Sequence, residues 1–339
     1  MEVTDTPSSR SIYFSPRFWL TVVIMVVIGV LLIKSVGLET LIMNVISVWP
    51  WGVAAVFTVY TIVMLIRTYR WKVLLSTNGV QVSFSLLAKV AWMAWAQNGV
   101  LPARLGEASR LVILKSYGVG YSKNTIAIAL EKFFDLIGLV SVVGLMSGLI
   151  AFYHLDVTEV KGLRTTLYVL LGLIFTGFCL LFLVFRYSEF FISTLERTSF
   201  TRKFAPLLKD VSSSISHLSQ NKWQFLLLLL LSILQWLTES LTILAVALIL
   251  GVPNQPVFIL FAAVIGYATY ILPVTPGSFG PFEFFVGQIL MFLIGIPSPL
   301  ALSVPIVSHI LVVLYLALTG ILSSISLPPR MENNGNLEK

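Results

Sequence analysis

Two segments stand out in this sequence: Pro102-Ala-Arg-Leu-Gly-Glu107 and Pro276-Gly-Ser-Phe-Gly-Pro-Phe-Glu283. Each breaks an apolar stretch with Pro and Gly, ends in a carboxylate and has apolar arms of helical length on both sides. Broken helices free backbone polar groups, which a membrane tolerates only where protein or a water-filled cavity satisfies them. Matched breaks in two halves of a membrane protein are typical of a transporter's substrate site.

The composition indicates a polytopic helical membrane protein. Of its 339 residues, 57% are hydrophobic and only 11% are charged, whereas soluble domains carry roughly 25% charged residues. The net charge of +7 comes from Lys and Arg at the ends of apolar spans, which favours a membrane surface over nucleic acid as the partner. With one cysteine and three histidines, we expect no disulfide, no metal site and no cofactor.

The hydropathy pattern predicts an all-α membrane fold with about six full spans and two broken or re-entrant hairpins. The spans cover about 18–33, 48–66, 125–151, 165–185, 223–251 and 299–324. The broken pairs are 84–101 with 103–118, and 256–273 with 277–296. We expect a cytoplasmic segment at 1–17, one transmembrane domain over 18–326 with a polar loop at 186–222, and a disordered tail at 327–339.

The positive residues predict the orientation of these spans. The N-terminal segment, the end of the second span and the loop 186–222 are rich in Lys and Arg, so we expect them and both termini in the cytoplasm. The connections at 34–47, 152–164 and 252–255 carry few or balanced charges. The units 48–151 and 223–324 then form an inverted repeat with the hairpin tips face to face. The alternative is that all four arms cross fully and the breaks are surface turns.

The first broken segment carries a charged pattern. Arg104, Glu107 and Arg110 recur every three residues, so Glu107 can pair with either arginine on a helix. Asn98 and Pro102 precede them, and the helix is expected to restart with free amide donors. Free amides and two guanidinium groups suit a phosphate or carboxylate. The alternative is a solvated face of a cytoplasmic surface helix.

The span 125–151 contains ionisable residues, which hydrocarbon accepts only in pairs or cavities. Glu131 and Asp135 share one helix face and flank Lys132. Their natural partners are Arg67, Arg70, Arg104 and Arg110. A purely structural ion-pair network is the alternative to a binding role.

The second half offers two further carboxylates. Glu239 lies mid-span in a polar stripe, and Glu283 closes the second broken segment. Either can couple transport to protons, and Glu283 is also placed to cap a helix N-terminus. His309 is interpreted as a hydrogen-bonded structural residue. The tryptophans of the first half are interpreted as an interfacial belt, with an aromatic wall as the alternative: Trp71, Trp92 and Trp95.

Four motifs in order resemble the flippase-like membrane domain of lysylphosphatidylglycerol synthases, a family that includes stand-alone membrane proteins. They are Arg67-Thr-Tyr-Arg70-Trp71-Lys-Val-Leu-Leu, the segment from Asn98 to Arg110, Glu131-Lys-Phe-Phe-Asp135 and the second broken segment. The resemblance runs from about residue 15 to 326, with Lys132 in the place of the family's arginine. The aminoacyl-transferase and glycosyltransferase domains of some members have no counterpart in this sequence.

The resemblance implies a non-enzymatic lipid translocase in the plasma membrane of a prokaryote. Its partner would be a phospholipid or polyprenyl-phosphate lipid with an anionic headgroup, moved between leaflets by alternating access. The expected headgroup residues are Asn98, Arg104, Glu107, Arg110, Glu131, Asp135, Pro276, Gly277, Gly280 and Glu283, with Arg67, Arg70 and Glu239 lining or coupling. The alternatives are a membrane enzyme that uses one of these carboxylates as general base and a secondary transporter of a small solute.

Overall fold

The computed structural model is a bundle of eleven α-helices over the residues it describes: 16–100, 105–152, 205–270 and 275–329, with a few isolated positions between 172 and 193. In chain order the helices are α1 (Pro16–Val36), α2 (Leu38–Val48), α3 (Trp51–Thr77), α4 (Phe84–Val100), α5 (Leu105–Lys115), α6 (Tyr121–Phe152), α7 (Ala205–Gln220), α8 (Lys222–Ile249), α9 (Pro256–Ala268), α10 (Pro281–Ile294) and α11 (Ser298–Ile325). A 3₁₀ turn, Pro276–Ser278, precedes α10.

Four of these helices are long and apolar enough to cross a membrane, and they overlap four of the predicted spans: Trp51–Thr77, Tyr121–Ile150, Lys222–Ile249 and Ser298–Ile325. The predicted span 18–33 lies within α1. Together, the end of α1 and the whole of α2 make a fifth candidate, bent by 82°. The predicted span 165–185 lies outside the described residues except for one position.

Two segments that the sequence suggested were connections contain helices. In the stretch 34–47, α2 begins directly after Gly37 and buries Leu41 and Val48. In the loop 186–222, α7 buries Val211 and Leu218. In both helices the two buried residues are seven positions apart, which is two helical turns. Of the two, α7 is amphipathic, so an average of hydropathy along the chain does not reveal it. The helix α2 has only 11 residues, too few for a separate span.

Both broken segments consist of two short helices that pack against each other. The first pair is α4 and α5, with 17 and 11 residues, and the second is α9 and α10, with 13 and 14 residues. A helix needs about 20 residues to cross the hydrocarbon core. Each of these four helices is shorter than that.

The centre of the bundle is the contact between α3 and α8. The buried stripe of α3 recurs every three or four residues and passes through Tyr60, Met64, Arg67 and Trp71. The stripe therefore carries charged residues into the interior. On the neighbouring α6, Gly138 allows close approach to α8, because a Cβ there would lie 2.8 Å from the Cβ of Ser232.

Candidate functional site

The first buried ion pair joins α3 to α8. Nη2 of Arg67 donates to both carboxylate oxygens of Glu239, at 2.9 and 2.7 Å, and the two side chains are 5% and 4% exposed. The hydroxyl of Tyr60 accepts from Arg67 at 3.4 Å and donates to Glu239 at 3.5 Å. The guanidinium also lies 3.8 Å from the ring centre of Trp95. Both charges are thus partnered, as a low-dielectric interior requires.

A second ion pair connects α3, α6 and α8. Arg70 donates through Nη2 to Oδ1 of Asp135 and through Nη1 to the hydroxyl of Ser232 at 2.7 Å. The indole of Trp236 donates to the backbone carbonyl of Asp135 at 2.9 Å. The remaining guanidinium donor, Nε of Arg70, is buried without a partner among the described residues.

The third ion pair is a fork between α5 and α6. Nη1 and Nη2 of Arg110 donate to the two oxygens of Glu131 at 3.2 and 2.7 Å. The guanidinium stacks on Trp71, 3.9 Å from its ring centre. Asn124 connects the two, because its side chain accepts from the Trp71 indole and donates to the Arg110 carbonyl, both at 3.2 Å. The nitrogens that could fork around a phosphate are therefore engaged by Glu131.

A fourth ion pair joins α5 to α6 closer to solvent. Nζ of Lys132 is 2.6 Å from a carboxylate oxygen of Glu107 and 3.8 Å from Oδ2 of Asp135. The Lys132 and Glu107 side chains are 32% and 20% exposed, so solvent screens this pair more than the other three.

Together these contacts form one network across α3, α5, α6 and α8. Its four cations and four carboxylates are Arg67, Arg70, Arg110, Lys132, Glu107, Glu131, Asp135 and Glu239. The prediction that Glu131 and Asp135 each pair with an arginine is confirmed by these contacts. Because the charges balance, the network can lie inside a membrane bundle without an isolated ion.

A separate polar cluster lies at the start of α10. Oε2 of Glu283 accepts the backbone N–H of Gly280 at 2.6 Å, so the predicted capping role of Glu283 is confirmed. Its other oxygen is 2.5 Å from Nδ1 of His309 on α11. Both side chains are buried, with Phe279 and Phe282 packed against the imidazole.

The two broken helix pairs meet at Gly99 and Gly277, a contact that we call the tip junction. Gly277 has φ 58, a left-handed conformation that glycine adopts most readily. A Cβ on Gly277 would lie 3.5 Å from the Gly99 carbonyl oxygen and 3.5 Å from Nε2 of His309. Next to the junction, Oδ1 of Asn98 is buried without a partner among the described residues.

The remaining predicted site residues are placed as follows. Pro276 begins the 3₁₀ turn, and Gly280 is the N-cap of α10 with φ 99. Arg104 and Pro102 lie outside the described residues.

For three residues the structure shows contacts or burial that the sequence did not suggest: Trp71, Tyr60 and Asn124. Trp71 is 0% exposed, so it is not an interfacial residue. The contacts of Tyr60 with Arg67 and of Asn124 with Arg110 were not predicted from the sequence. A signal for both exists, because Tyr60 and Asn124 each precede a charged residue of their own helix by seven positions, or two turns on the same face.

Sequence comparisons identify the family. The family described as "Lysylphosphatidylglycerol synthase TM region" matches residues 18–320. Glycosyltransferase AglD of Haloferax volcanii is 26% identical over 288 residues, which cover 77% of this chain and 46% of that protein. The chain thus spans less than half the length of this relative, and no solved structure matches it. The ion network, the polar cluster at the start of α10 and the tip junction all lie within the matched range. The chain belongs to the lysylphosphatidylglycerol synthase transmembrane-region family.

Proposed function

We propose that this protein is a lipid translocase of a prokaryotic plasma membrane that moves a lipid with an anionic headgroup between leaflets. The family places the chain among lipid-related membrane proteins. The observation that carries the proposal is the tip junction, where two broken helix pairs meet inside a membrane bundle. Phospholipids and polyprenyl-phosphate lipids both have the required charge. The proposal includes no catalytic step.

The short helices support a re-entrant arrangement. With 17, 11, 13 and 14 residues, none of α4, α5, α9 and α10 is long enough to cross about 30 Å of hydrocarbon alone. Two such pairs that enter from opposite sides would meet near the midplane. There, the non-helical backbone around Gly277 would face protein or a polar cavity, as a membrane interior demands.

The packing pattern supports an inverted repeat. If α3 to α6 correspond to α8 to α11, each observed contact needs an equivalent between the corresponding helices. The contact of α4 with α11 corresponds to that of α9 with α6, and the contact of α3 with α11 to that of α8 with α6. All four contacts occur, and the central contact of α3 with α8 is its own equivalent. Such repeats allow alternating access by rocking around a fixed site.

The tip junction offers groups for an anionic headgroup. The N-terminus of α10 begins at Gly280 beside the junction, and backbone N–H groups at a helix start attract anions. On the other side, Arg104 directly precedes α5 in the sequence. We propose that Arg104 contacts the headgroup, while the fork between Arg110 and Glu131 holds α5 in position.

A cysteine lock tests the proposal. The Cα of Gly99 lies 3.7 Å from the position of a Cβ on Gly277, so cysteines at the two positions would lie on adjacent backbone segments. The double variant Gly99→Cys/Gly277→Cys is made with Cys179→Ser, which removes the native cysteine. Movement of fluorescent phosphatidylglycerol and fluorescent farnesyl phosphate is then measured in proteoliposomes. Because a side chain on Gly277 enters the junction, we expect the reduced variant to move lipid more slowly than the parent, oxidation to stop the remaining movement and reduction to restore the slower rate.

The matched control is a lock within one repeat. Gly266→Cys/Val286→Cys joins α9 to α10, where a Cβ on Gly266 would lie 2.3 Å from the Val286 side chain. This lock does not cross between the repeats and should leave translocation unchanged. If the tip lock forms and both lipids still move at the parental rate, or if the parent moves neither lipid, the proposed function is wrong.

A further inference from the structure

We infer that His309 and Glu283 form a proton-binding site that is coupled to the headgroup site at the tip junction. The inference rests on the proposed function and adds an energy source to it, namely cotransport of a proton with an anionic lipid.

The hydrogen bonds of Glu283 identify the tautomer of His309. Oε2 of Glu283 accepts the N–H of Gly280 at 2.6 Å, and Oε1 is 2.5 Å from Nδ1 of His309. A carboxylate can only accept hydrogen bonds, so Nδ1 must carry the hydrogen in the neutral imidazole. The other ring nitrogen, Nε2, is then an acceptor with a free lone pair.

This free nitrogen faces the tip junction. A Cβ on Gly277 would lie 3.5 Å from Nε2 of His309 and 3.5 Å from the Gly99 carbonyl oxygen. His309 is 7% exposed, and its Nε2 makes no hydrogen bond within the described part of the chain. An unpartnered ring nitrogen of a largely buried histidine therefore lies where the two broken helix pairs meet.

Protonation changes what the junction can bind. When Nε2 takes up a proton, it becomes an N–H donor directed at the junction, and the charge of the pair with Glu283 changes from negative to zero. An anion beside the start of α10 is repelled by the unprotonated pair and accepted by the protonated one. The proton comes from the side to which the junction is open and leaves, with the lipid, on the other side.

The groups that face this pair are either paired with an opposite charge or uncharged. A small cavity, with room for about one water molecule, connects the pair to α3, α8 and α9. Its lining residues are Tyr60, Glu239, Tyr267, Tyr270, Phe282, Ser308, His309 and Val312. The charge of Glu239 is balanced by Arg67, and tyrosine hydroxyls stay neutral at ordinary pH. From α1, the uncharged Ile28 approaches Gly280, and α4 contributes Gly99 and Asn98 at the junction.

A pH gradient across proteoliposomes tests the inference. Vesicles of phosphatidylcholine contain the parent protein and fluorescent phosphatidylglycerol or farnesyl phosphate, and a trapped dye reports internal pH in parallel vesicles. With one proton per lipid, a gradient of about one pH unit should enrich the lipid about tenfold in the leaflet on the alkaline side. Lipid movement should also acidify the alkaline compartment.

Three variants complete the test. His309→Gln removes the titrating ring, and Glu283→Gln removes the carboxylate but keeps an oxygen that can accept the Gly280 N–H. We expect both to lose the enrichment and the proton movement. If His309→Gln does not fold, Glu283→Gln alone decides the question. Ser303→Ala, a buried substitution on the same helix α11, is the control and should keep the enrichment.

The outcomes separate this inference from the proposed function. If the parent moves lipid but distributes it equally across a pH gradient, proton coupling is wrong and translocation stands. If enrichment persists in His309→Gln or Glu283→Gln, the proton site lies elsewhere. If the parent moves neither lipid, the proposed function fails, and this inference fails with it.

Discussion

Arg67 and Glu239 are 172 residues apart in the chain, yet one guanidinium nitrogen binds both carboxylate oxygens, at 2.9 and 2.7 Å. This pair joins the first long helix of one proposed repeat, α3, to the corresponding helix of the other, α8. Because α3 and α8 form the most extensive helix contact of the bundle, the pair connects the two proposed repeats where they pack most closely.

The pair of Arg67 and Glu239 should be strongly coupled. Glu239→Gln leaves the Arg67 charge buried at 5% exposure without a counter-ion, so we expect a loss of about 3–5 kcal/mol in the free energy of unfolding. Denaturant titration in detergent micelles measures this loss. The double variant Arg67→Met/Glu239→Leu removes both charges and should recover most of the stability. An unchanged unfolding midpoint in Glu239→Gln would show that the pair is not buried as described.

Arg110 and Lys132 belong to the same network but should contribute differently to the free energy of unfolding, because they differ in burial. Arg110 is 3% exposed and forked onto Glu131, so Arg110→Ala should lower the free energy of unfolding by about 3–5 kcal/mol. Lys132 is 32% exposed, so Lys132→Ala should cost at most about 1 kcal/mol. Both variants are measured by the same denaturant titration. Equal losses would contradict the placement of Lys132 at the edge.

Two glycines of α6 should respond to alanine in opposite ways. A Cβ on Gly138 would lie 2.9 Å from the backbone carbonyl carbon of Ser232, so Gly138→Ala should push α6 and α8 apart and cost about 1–3 kcal/mol. Gly144 has nothing within 4 Å of such a Cβ. Gly144→Ala should instead stabilise the helix by up to about 1 kcal/mol. Thermal melting in detergent compares the two, and a stabilising Gly138→Ala would refute the close approach.

Alanine at Gly277 and at Gly251 should lower stability by similar amounts but should differ in its effect on transport. Gly277 and Gly251 have φ of 58 and 80, so alanine at either position should cost about 1–2 kcal/mol. Only Gly277 lies between Gly99 and His309, and only Gly277→Ala should slow lipid translocation in proteoliposomes. Gly251→Ala is the matched control, because nothing lies within 4 Å of its Cβ. Equal transport in both variants would argue against a headgroup site at the junction.

Features that depend on residues close together in the sequence could be predicted from it. The long apolar helices α3, α6, α8 and α11 follow from runs of apolar residues. The break at 276–283 follows from Pro and Gly. The capping role of Glu283 follows from its position three residues after Gly280, because such a carboxylate reaches the helix start within one turn. The helix α7 escaped prediction because it is amphipathic and its mean hydropathy is low, and α2 because its 11 residues are too few for a separate span.

The choice of partners could not be predicted in the same way. The arginines were equivalent candidates for Glu131 and Asp135, because the sequence records their charge but not the helix that each one faces; they are Arg67, Arg70, Arg104 and Arg110. The packing of α3 against α8 assigns Arg67 to Glu239 and leaves Arg70 for Asp135. The packing of α11 against α4 and α10 brings His309 to the tip junction. Local rules describe contacts within about one turn of a helix, whereas these contacts depend on how distant helices cross.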